Sequence, residues 1–151
     1  MIFLVGFGLN LLWEFLHAPL YLGGSYLQSG SVTYWTEVTG PFLSILLWAS
    51  LWDGLLLFII YGIVACIERQ VMWVTTWRWR DGIVMIVVGM TLATFIEWRG
   101  LAEGRWGYGP LMPIVPFFDI GLTPFVQLAV TGIVAYRIAY TLYGGTDSNI
   151  S

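Results

Sequence analysis

The sequence predicts an all-α protein, a four-helix transmembrane bundle that forms a single integral membrane domain over residues 1–151. The composition is 58% hydrophobic and only 10% charged, whereas soluble domains carry about 25% charged residues. Four apolar runs each supply the ~20 residues that a helix needs to cross a bilayer. The alternating pattern of a β-barrel is missing, so helices are left to satisfy the backbone in lipid. The spans are predicted at about 2–22, 41–67, 82–103 and 124–143.

The first span is interpreted as a retained helix rather than a cleaved signal peptide. No basic residue precedes its apolar run, and Glu14 and His17 lie within it. The connection 23–40 is rich in Gly, Ser and Thr, which is typical of a loop. Pro41 then suits the first turn of the second helix, where its missing N–H has no intrahelical partner to lose.

The connection 68–81 combines three tryptophans with Arg69, Arg78 and Arg80, which is typical of an interfacial belt. Because the connection 23–40 has no Lys or Arg, the positive-inside rule predicts that 68–81 is cytoplasmic. Both termini are then cytoplasmic, and the chain is expected to be a multi-pass protein of the cell membrane.

A proline-rich outer loop precedes the fourth span. In the segment 109–122, GPLMPIVPFFDIGL, a proline recurs at every third residue and blocks a helix. An apolar segment without helix is expected at the outer interface, folded back over the bundle as a lid, or as a tight connector. Thr123 and Pro124 are predicted as the N-cap and first residue of the fourth helix, and Gly144 as its stop.

Polar residues inside the first span form one stripe at helical spacing: Asn10, Glu14 and His17. Ionisable groups in a membrane cost roughly 2.5–3.5 kcal/mol each, so each is a candidate functional residue. The spacing Glu14-x-x-His17 is that of helical metal sites. Since His17 is the only histidine, a di-metal site is excluded. A single metal held with carboxylates and a hydrogen-bonded pair that locks helix packing both stay open.

The other three spans bring polar residues to nearly the same depth. At 1.5 Å per residue, Glu97 and Gln127 fall in the outer half with Glu14 and His17, and Asp53 lies near the midplane. The candidate catalytic residues are Glu14, Asp53 and Glu97. Asn10, His17 and Gln127 are candidate substrate-binding residues at this level.

The stretch EWRGLAEGRWGYGP ends the third span and carries four charges. Arg99 and Glu103 are at i, i+4 and pair if the helix continues that far. With Arg105 they form an interfacial ion-pair cluster or contribute to ligand binding. Glu97 lies deeper, where a carboxyl group serves packing or acts as a proton donor or relay. The acidic residues at the ends of the connection 68–81 are expected to be solvated.

Several classes of function are excluded. The net charge of −3 and the lack of a basic patch exclude a nucleic-acid partner. The lone Cys66 forms no internal disulfide. With one histidine and no lysine, a bis-histidine haem and a retinal Schiff base are excluded. Motifs of serine hydrolases, nucleotide-binding loops, zinc proteases and calcium loops are missing. The sequence identifies no cofactor.

Most of the chain resembles a group of small, functionally uncharacterised bacterial polytopic membrane proteins. The resemblance is carried by NLLWEFLHAPLY at 10–21, Asp53, EWRGLAEGRWGYGPLMPIVP at 97–116 and GLTPFVQ at 121–127. It implies a membrane protein and supplies no reaction. Its defining positions are Asn10, Trp13, Glu14, Asp53, Glu97, Arg99, Arg105, Trp106 and Tyr108. The resemblance thus adds Arg99, Arg105, Trp106 and Tyr108 to the candidate substrate-binding residues.

A looser similarity is to the membrane-embedded lycopene cyclases, in which an aromatic stretch precedes an acidic Pro-Leu-Glu-Glu-type motif. Here GRWGY is followed by GLTPFVQ, and Phe125, Val126 and Gln127 stand where the paired glutamates fall. What this similarity implies is a carboxyl group in a membrane bundle that protonates an isoprenoid-like substrate.

Three functions are therefore open. The first is acid–base chemistry on, or binding of, a hydrophobic isoprenoid-like or lipid small molecule near the outer leaflet. The second is a non-catalytic subunit of a larger membrane complex, because the loops are short and the surface is aromatic. The third is a proton or metal-ion carrier, against which the apolar inner halves of the third and fourth spans argue. The partners expected are the lipid bilayer and either the small molecule or other membrane subunits.

Overall fold

A computed structural model describes the backbone of residues 1–22 and 40–144, and the side chains of residues 1–21 and 43–144. It confirms an all-α four-helix bundle, and all four helices are long and apolar enough to cross a membrane. The predictions for the connection 23–40 fall almost entirely outside the described residues. The helices are α1 (Ile2–His17), α2 (Gly40–Glu68), α3 (Trp79–Ala102) and α4 (Leu122–Tyr143).

Three helix boundaries differ from the predictions, each for a local reason. At Pro19, α1 has already given way to a 3-10 turn over Ala18–Leu20. The start of α3 is three residues earlier than predicted, because the backbone N–H of Arg78 donates to Asp81 Oδ2 at 2.8 Å and caps the helix. The prediction that Thr123 is the N-cap of α4 is wrong, since Gly121 occupies that position and the Thr123 hydroxyl bonds elsewhere.

The helices form an antiparallel ring in which α1 packs on α2, α2 on α3, α3 on α4, and α4 on α1. Glycines allow the closest approaches. A Cβ on Gly54 would lie 3.2 Å from the backbone nitrogen of Phe7 in α1, and one on Gly89 would lie 3.4 Å from the backbone nitrogen of Ala129 in α4. Small residues at such crossings let backbones approach in a membrane, where van der Waals contact drives association.

The two ends of the bundle differ in chemistry. We call the end where α2 leads into α3 the arginine end, and the end where α1 and α3 finish the carboxylate end. The arginine end is filled by aromatic and aliphatic side chains. Trp73 and Tyr136 are fully buried there, the Trp73 indole donates to the Tyr61 carbonyl at 3.2 Å, and the Tyr136 hydroxyl donates to the Leu57 carbonyl. Trp73 therefore belongs to the core and not to an interfacial belt.

The acidic residues of the arginine end are buried, so the expectation that they are solvated is wrong. The side chains of Glu68 and Asp81 are 2% and 0% exposed. Arg78 pairs with both, at 3.0 and 3.1 Å, and Arg80 pairs with Glu68 at 3.2 Å. The connection between α2 and α3 folds back onto the helix ends and covers these carboxylates.

Two short antiparallel ladders close the carboxylate end. Strand β1 (Tyr21–Leu22) follows α1 and pairs with β2 (Gly107–Tyr108), which follows α3, so that Tyr21 lies opposite Tyr108. Strands β3 (Ile114–Val115) and β4 (Ile120–Gly121) pair within the proline-rich segment. That segment is non-helical, as the sequence predicts, and its order comes from a hairpin.

Candidate functional site

The first part of the site is organised by one amide on α4. Gln127 Nε2 lies 3.2 Å from Asn10 Oδ1, 3.0 Å from Glu14 Oε1 and 2.7 Å from Asp53 Oδ2. Since an amide nitrogen carries two hydrogens, three acceptors from α1 and α2 share two donors. Gln127 thus ties three helices together at the predicted polar level.

Two carboxyl groups meet beside this amide. Glu14 Oε1 and Asp53 Oδ2 lie 3.0 and 2.7 Å from Gln127 Nε2, so the two carboxyl groups converge on one amide nitrogen. The other oxygen of Glu14 lies 3.2 Å from His17 Nε2. His17 Nδ1 in turn lies 3.4 Å from the Thr123 hydroxyl. The carboxyl pair is therefore joined through Glu14 to the His17 imidazole, whose ring nitrogens can donate or accept a hydrogen bond.

Glu97 on α3 forms the second part of the site, and its residue is 5% exposed. The Tyr108 hydroxyl and the Trp106 indole both donate to Oε2, the indole at 3.2 Å. The Tyr21 hydroxyl donates to Oε1 at 3.4 Å. Three neutral donors from the two segments paired as β1 and β2 therefore surround a single carboxylate.

Tyr21 joins the two parts. Its ring packs edge-on against the His17 imidazole, with the ring centres 5.3 Å apart, while its hydroxyl reaches Glu97. Its ring also lies 5.6 Å from that of Tyr108. We refer to the whole set as the polar cluster. Its members are Asn10, Glu14, His17, Tyr21, Asp53, Glu97, Trp106, Tyr108, Thr123 and Gln127.

A glycine on α3 determines where the Trp106 indole lies. A Cβ on Gly100 would be 1.9 Å from Trp106 Cζ2, a distance that no side chain tolerates. The indole therefore packs flat against the backbone of α3, one turn after Glu97, and its N–H faces the carboxylate. The stretch that ends the third span thus supplies both Glu97 and, through Gly100, the position of its donor.

The two arginines of the same stretch are outside the polar cluster. Arg99 Nε lies 2.7 Å from Glu103 Oε1, and Arg105 pairs with the other oxygen of Glu103. All three side chains are exposed. The predicted ion-pair cluster is confirmed. Among the described residues, Arg99 and Arg105 form no ion pair or hydrogen bond with another candidate site residue, so their predicted binding role stays a prediction.

The polar cluster has ten members among the described residues, and the sequence does not predict two of them, Tyr21 and Thr123. Tyr21 lies four residues after His17, one helical turn further along the same face, but beyond the last polar residue of the apolar run. Thr123 lies four residues before Gln127, on the same helix face, but its position before Pro124 predicts a helix cap rather than a site residue. Both join the site through tertiary contacts with residues far away in the chain.

Burial keeps the two tyrosines of this end as neutral donors. Desolvation, then the charge of Glu97, raises the pKa of Tyr21 far above its ordinary range. Desolvation, then the hydrogen bond to Glu97, raises the pKa of Tyr108 in the same direction. Both phenols therefore stay protonated over the whole physiological range.

The donor set does not favour a metal. Among the described residues no three His, Cys, Asp or Glu side chains are grouped so that they could hold an ion. The two nitrogens of His17 already face Glu14 and Thr123. The Glu14–His17 motif is thus used as a hydrogen-bonded pair in this structure.

A buried donor, the Trp13 indole, lies beside the cluster. The indole N–H of Trp13 is shielded from solvent and makes no hydrogen bond within the part of the chain that the structure describes. Its ring lies 6.3 Å from that of His17. An unpaired buried N–H costs free energy unless a water or a ligand atom accepts from it.

Comparisons with protein-family models, with curated proteins and with solved structures returned no match. The function must therefore be argued from the geometry of the polar cluster alone.

Proposed function

We propose that the polar cluster is an acid–base site that binds a lipid-soluble small molecule of isoprenoid-like or lipid character and moves protons on it. The observation that carries this proposal is the identity of the groups that contact the three buried carboxyl groups. Glu14, Asp53 and Glu97 are held by neutral donors and one histidine. The arginines nearest to Glu97 in sequence pair with the exposed Glu103 instead.

An arginine partner would fix a carboxylate in its charged form, since guanidinium does not give up its proton in proteins. A carboxyl group that shares a proton with another carboxyl group can release it, and a histidine can take it up and return it. The partners in the cluster are thus those of groups that exchange protons rather than those of structural ion pairs.

The roles follow from the contacts. The proton held by Glu14 and Asp53 is added to a double bond of the substrate, which leaves a cation on the neighbouring carbon. The ring faces of Trp13, Tyr21 and Tyr108 stabilise that cation. Glu97 removes a proton from an adjacent carbon. The composition of the substrate is unchanged, so an isomerisation or cyclisation needs no oxidant or reductant.

After such a cycle one proton must return from Glu97 to the carboxyl pair. His17 contacts Glu14, and the Tyr21 hydroxyl contacts Glu97 while its ring packs on His17. Asn10 and Gln127 orient the carboxyl pair through the shared amide. The free N–H of Trp13 is available to an oxygen of the substrate.

The depth of the cluster favours a substrate from the bilayer. Gln127 is five residues into α4, about 7–8 Å along the helix axis, so the site lies within the spans. The positive-inside rule puts the arginine end in the cytoplasm and the cluster in the outer leaflet.

The test is lipid mass spectrometry of the protein purified from its native membrane, comparing the wild type with Glu97→Gln. We expect the wild type to retain a lipid-soluble compound and the variant to retain an isomer of equal mass or none, because Glu97 can no longer accept a proton. Glu103→Gln is the matched control, since Glu103 is a carboxylate of the same stretch outside the cluster. It is expected to behave as the wild type.

Identical bound compounds in the wild type and in Glu97→Gln, with the variant folded, would contradict the acid–base role. So would a wild-type protein that carries no small molecule and migrates in mild detergent with other chains at fixed stoichiometry, which is the behaviour of a non-catalytic subunit.

A further inference from the structure

The proline-rich segment presents an apolar surface that the bundle does not cover. We call residues 111–122 the proline hairpin. One side of it is buried against the helices through Met112 and Ile120. The opposite side exposes large apolar side chains, and Phe117 at its tip is 100% exposed. The exposed large apolar residues are Leu111, Ile114, Phe117, Phe118 and Leu122, and Asp119 is the one ionisable residue exposed among them.

The proline hairpin lies along the flank of α3 and α4 rather than beyond their ends. The Trp98 indole donates to the Phe118 carbonyl at 2.7 Å, and the rings of Phe118 and Phe125 lie 5.6 Å apart. Trp98 is four residues before the end of α3, and Phe125 is three residues after the start of α4. Both are about one turn inside the helix ends, so the hairpin is level with the outermost turns of the spans.

The backbone of the hairpin is suited to an environment without water. Ile114 and Val115 pair with Gly121 and Ile120, and the Leu122 N–H donates to the Pro113 carbonyl at 2.7 Å. Prolines at 110, 113 and 116 have no N–H to satisfy. Unpaired backbone groups are costly in lipid. The periodic prolines therefore lower the number of backbone N–H donors where the chain is not helical.

Phe117 is also held in a conformation that its side chain disfavours. Its φ is 74°, in the left-handed region that is rare for bulky residues. Such backbone conformations persist only where the surroundings compensate for them. In water a fully exposed phenyl ring would gain no such compensation, but in lipid it is stabilised by burial of its apolar area.

We propose that the proline hairpin is a membrane anchor, and that Phe117 inserts into the leaflet at the carboxylate end. Its occupant is the surrounding bilayer rather than another protein. The hairpin shares its level with the exposed Trp98, whose ring contacts Phe95 one turn deeper on the same flank of α3. Tryptophan near the ends of membrane spans is typical of the interfacial belt. The anchor fixes the depth of the segment between β2 and α4 independently of any chemistry at the polar cluster.

The test uses spin labels in phosphatidylcholine vesicles. Cys66, an exposed residue on α2, is first replaced by serine so that each variant carries one cysteine. Labels are then attached to Phe117→Cys, to Phe95→Cys as a lipid-facing reference and to Arg105→Cys as a reference at the charged surface. The measurement is the ratio of collisions with oxygen, which concentrates in lipid, to collisions with a water-soluble nickel complex.

We expect the ratio at position 117 to lie close to that at position 95 and several-fold above that at position 105. A label at Leu111→Cys is expected to follow position 117, and unchanged melting of each labelled variant shows that it is folded. A ratio at position 117 equal to that at 105 would overturn the proposal. So would a label at 117 that neither reagent reaches, because a protein would then cover the hairpin.

Discussion

Both ends of the bundle bury acidic side chains, but they give them opposite partners. At the arginine end, Glu68 and Asp81 are paired with Arg78 and Arg80 and closed off by the connection between α2 and α3. At the carboxylate end, Glu97 receives hydrogen bonds from a tryptophan and two tyrosines. Burial alone therefore does not mark a functional carboxylate.

The partner determines what a buried acid can do. A carboxylate beside a guanidinium is held charged, and its removal leaves an uncompensated cation and lost hydrogen bonds. A carboxyl group among neutral donors can still gain or lose a proton. We accordingly expect the acids of the arginine end to matter most for stability, and those of the carboxylate end to matter most for function.

The largest expected effect on stability is at the arginine end. Replacing Asp81 by alanine removes the cap of α3 and the carboxylate that faces Arg78. The free energy of unfolding should fall by about 2–3 kcal/mol, measured by denaturant titration in mixed micelles. Glu103→Ala removes an exposed ion-paired carboxylate and is expected to leave stability nearly unchanged. Equal losses in the two variants would contradict a structural role specific to Asp81.

An intermediate effect is expected from Gly100→Ala at the carboxylate end. The added methyl group must displace the Trp106 indole, and such overpacking typically costs about 1–3 kcal/mol. Thermal unfolding measures this loss, and tryptophan fluorescence reports the displaced ring. Gly62→Ala is the matched control in α2, where no atom lies within 4 Å of the new Cβ, and it should be neutral or stabilising. A variant as stable as the wild type and with unchanged fluorescence would show that the Trp106 indole does not pack against Gly100.

The smallest expected effect is a pH dependence from Tyr108. Burial and Glu97 raise its pKa above the ordinary value of 10.0, so its stabilising contribution is present below pH 10 and is lost as the pH rises toward the raised folded-state value. As the pH rises above 10, the free energy of unfolding should therefore fall more steeply for the wild type than for Tyr108→Phe. Parallel curves for the two proteins would mean that the phenol is not perturbed by the fold.

The sequence alone predicts the four helices and the depth of their polar residues, because both depend on periodicity along single helices. Asn10, Glu14 and His17 share a face by their spacing alone, and Gln127 lies at a matching depth. Trp106 and Tyr108 are different, because only the resemblance to small membrane proteins, and no periodicity, marks them as candidates.

What the sequence could not supply depends on pairing between distant segments. Glu68 and Asp81 look like loop-end acids until the arginine connection folds over them. Tyr21 enters the site only because β1 pairs with β2, and Thr123 only because its hydroxyl meets His17. Arg99 and Arg105 lie next to the site in sequence, but their side chains are exposed and pair with Glu103 instead.

The single amide that joins three helices also bears on how the protein is made. Translation delivers α1 and α2 to the membrane before α4 exists, so Asn10, Glu14 and Asp53 wait in the bilayer without the donor that Gln127 later supplies. Unsatisfied polar groups there are costly. A chain interrupted before its last helix therefore keeps three acceptors without this donor, and their hydrogen bonding is completed only when α4 packs against α1 and α2.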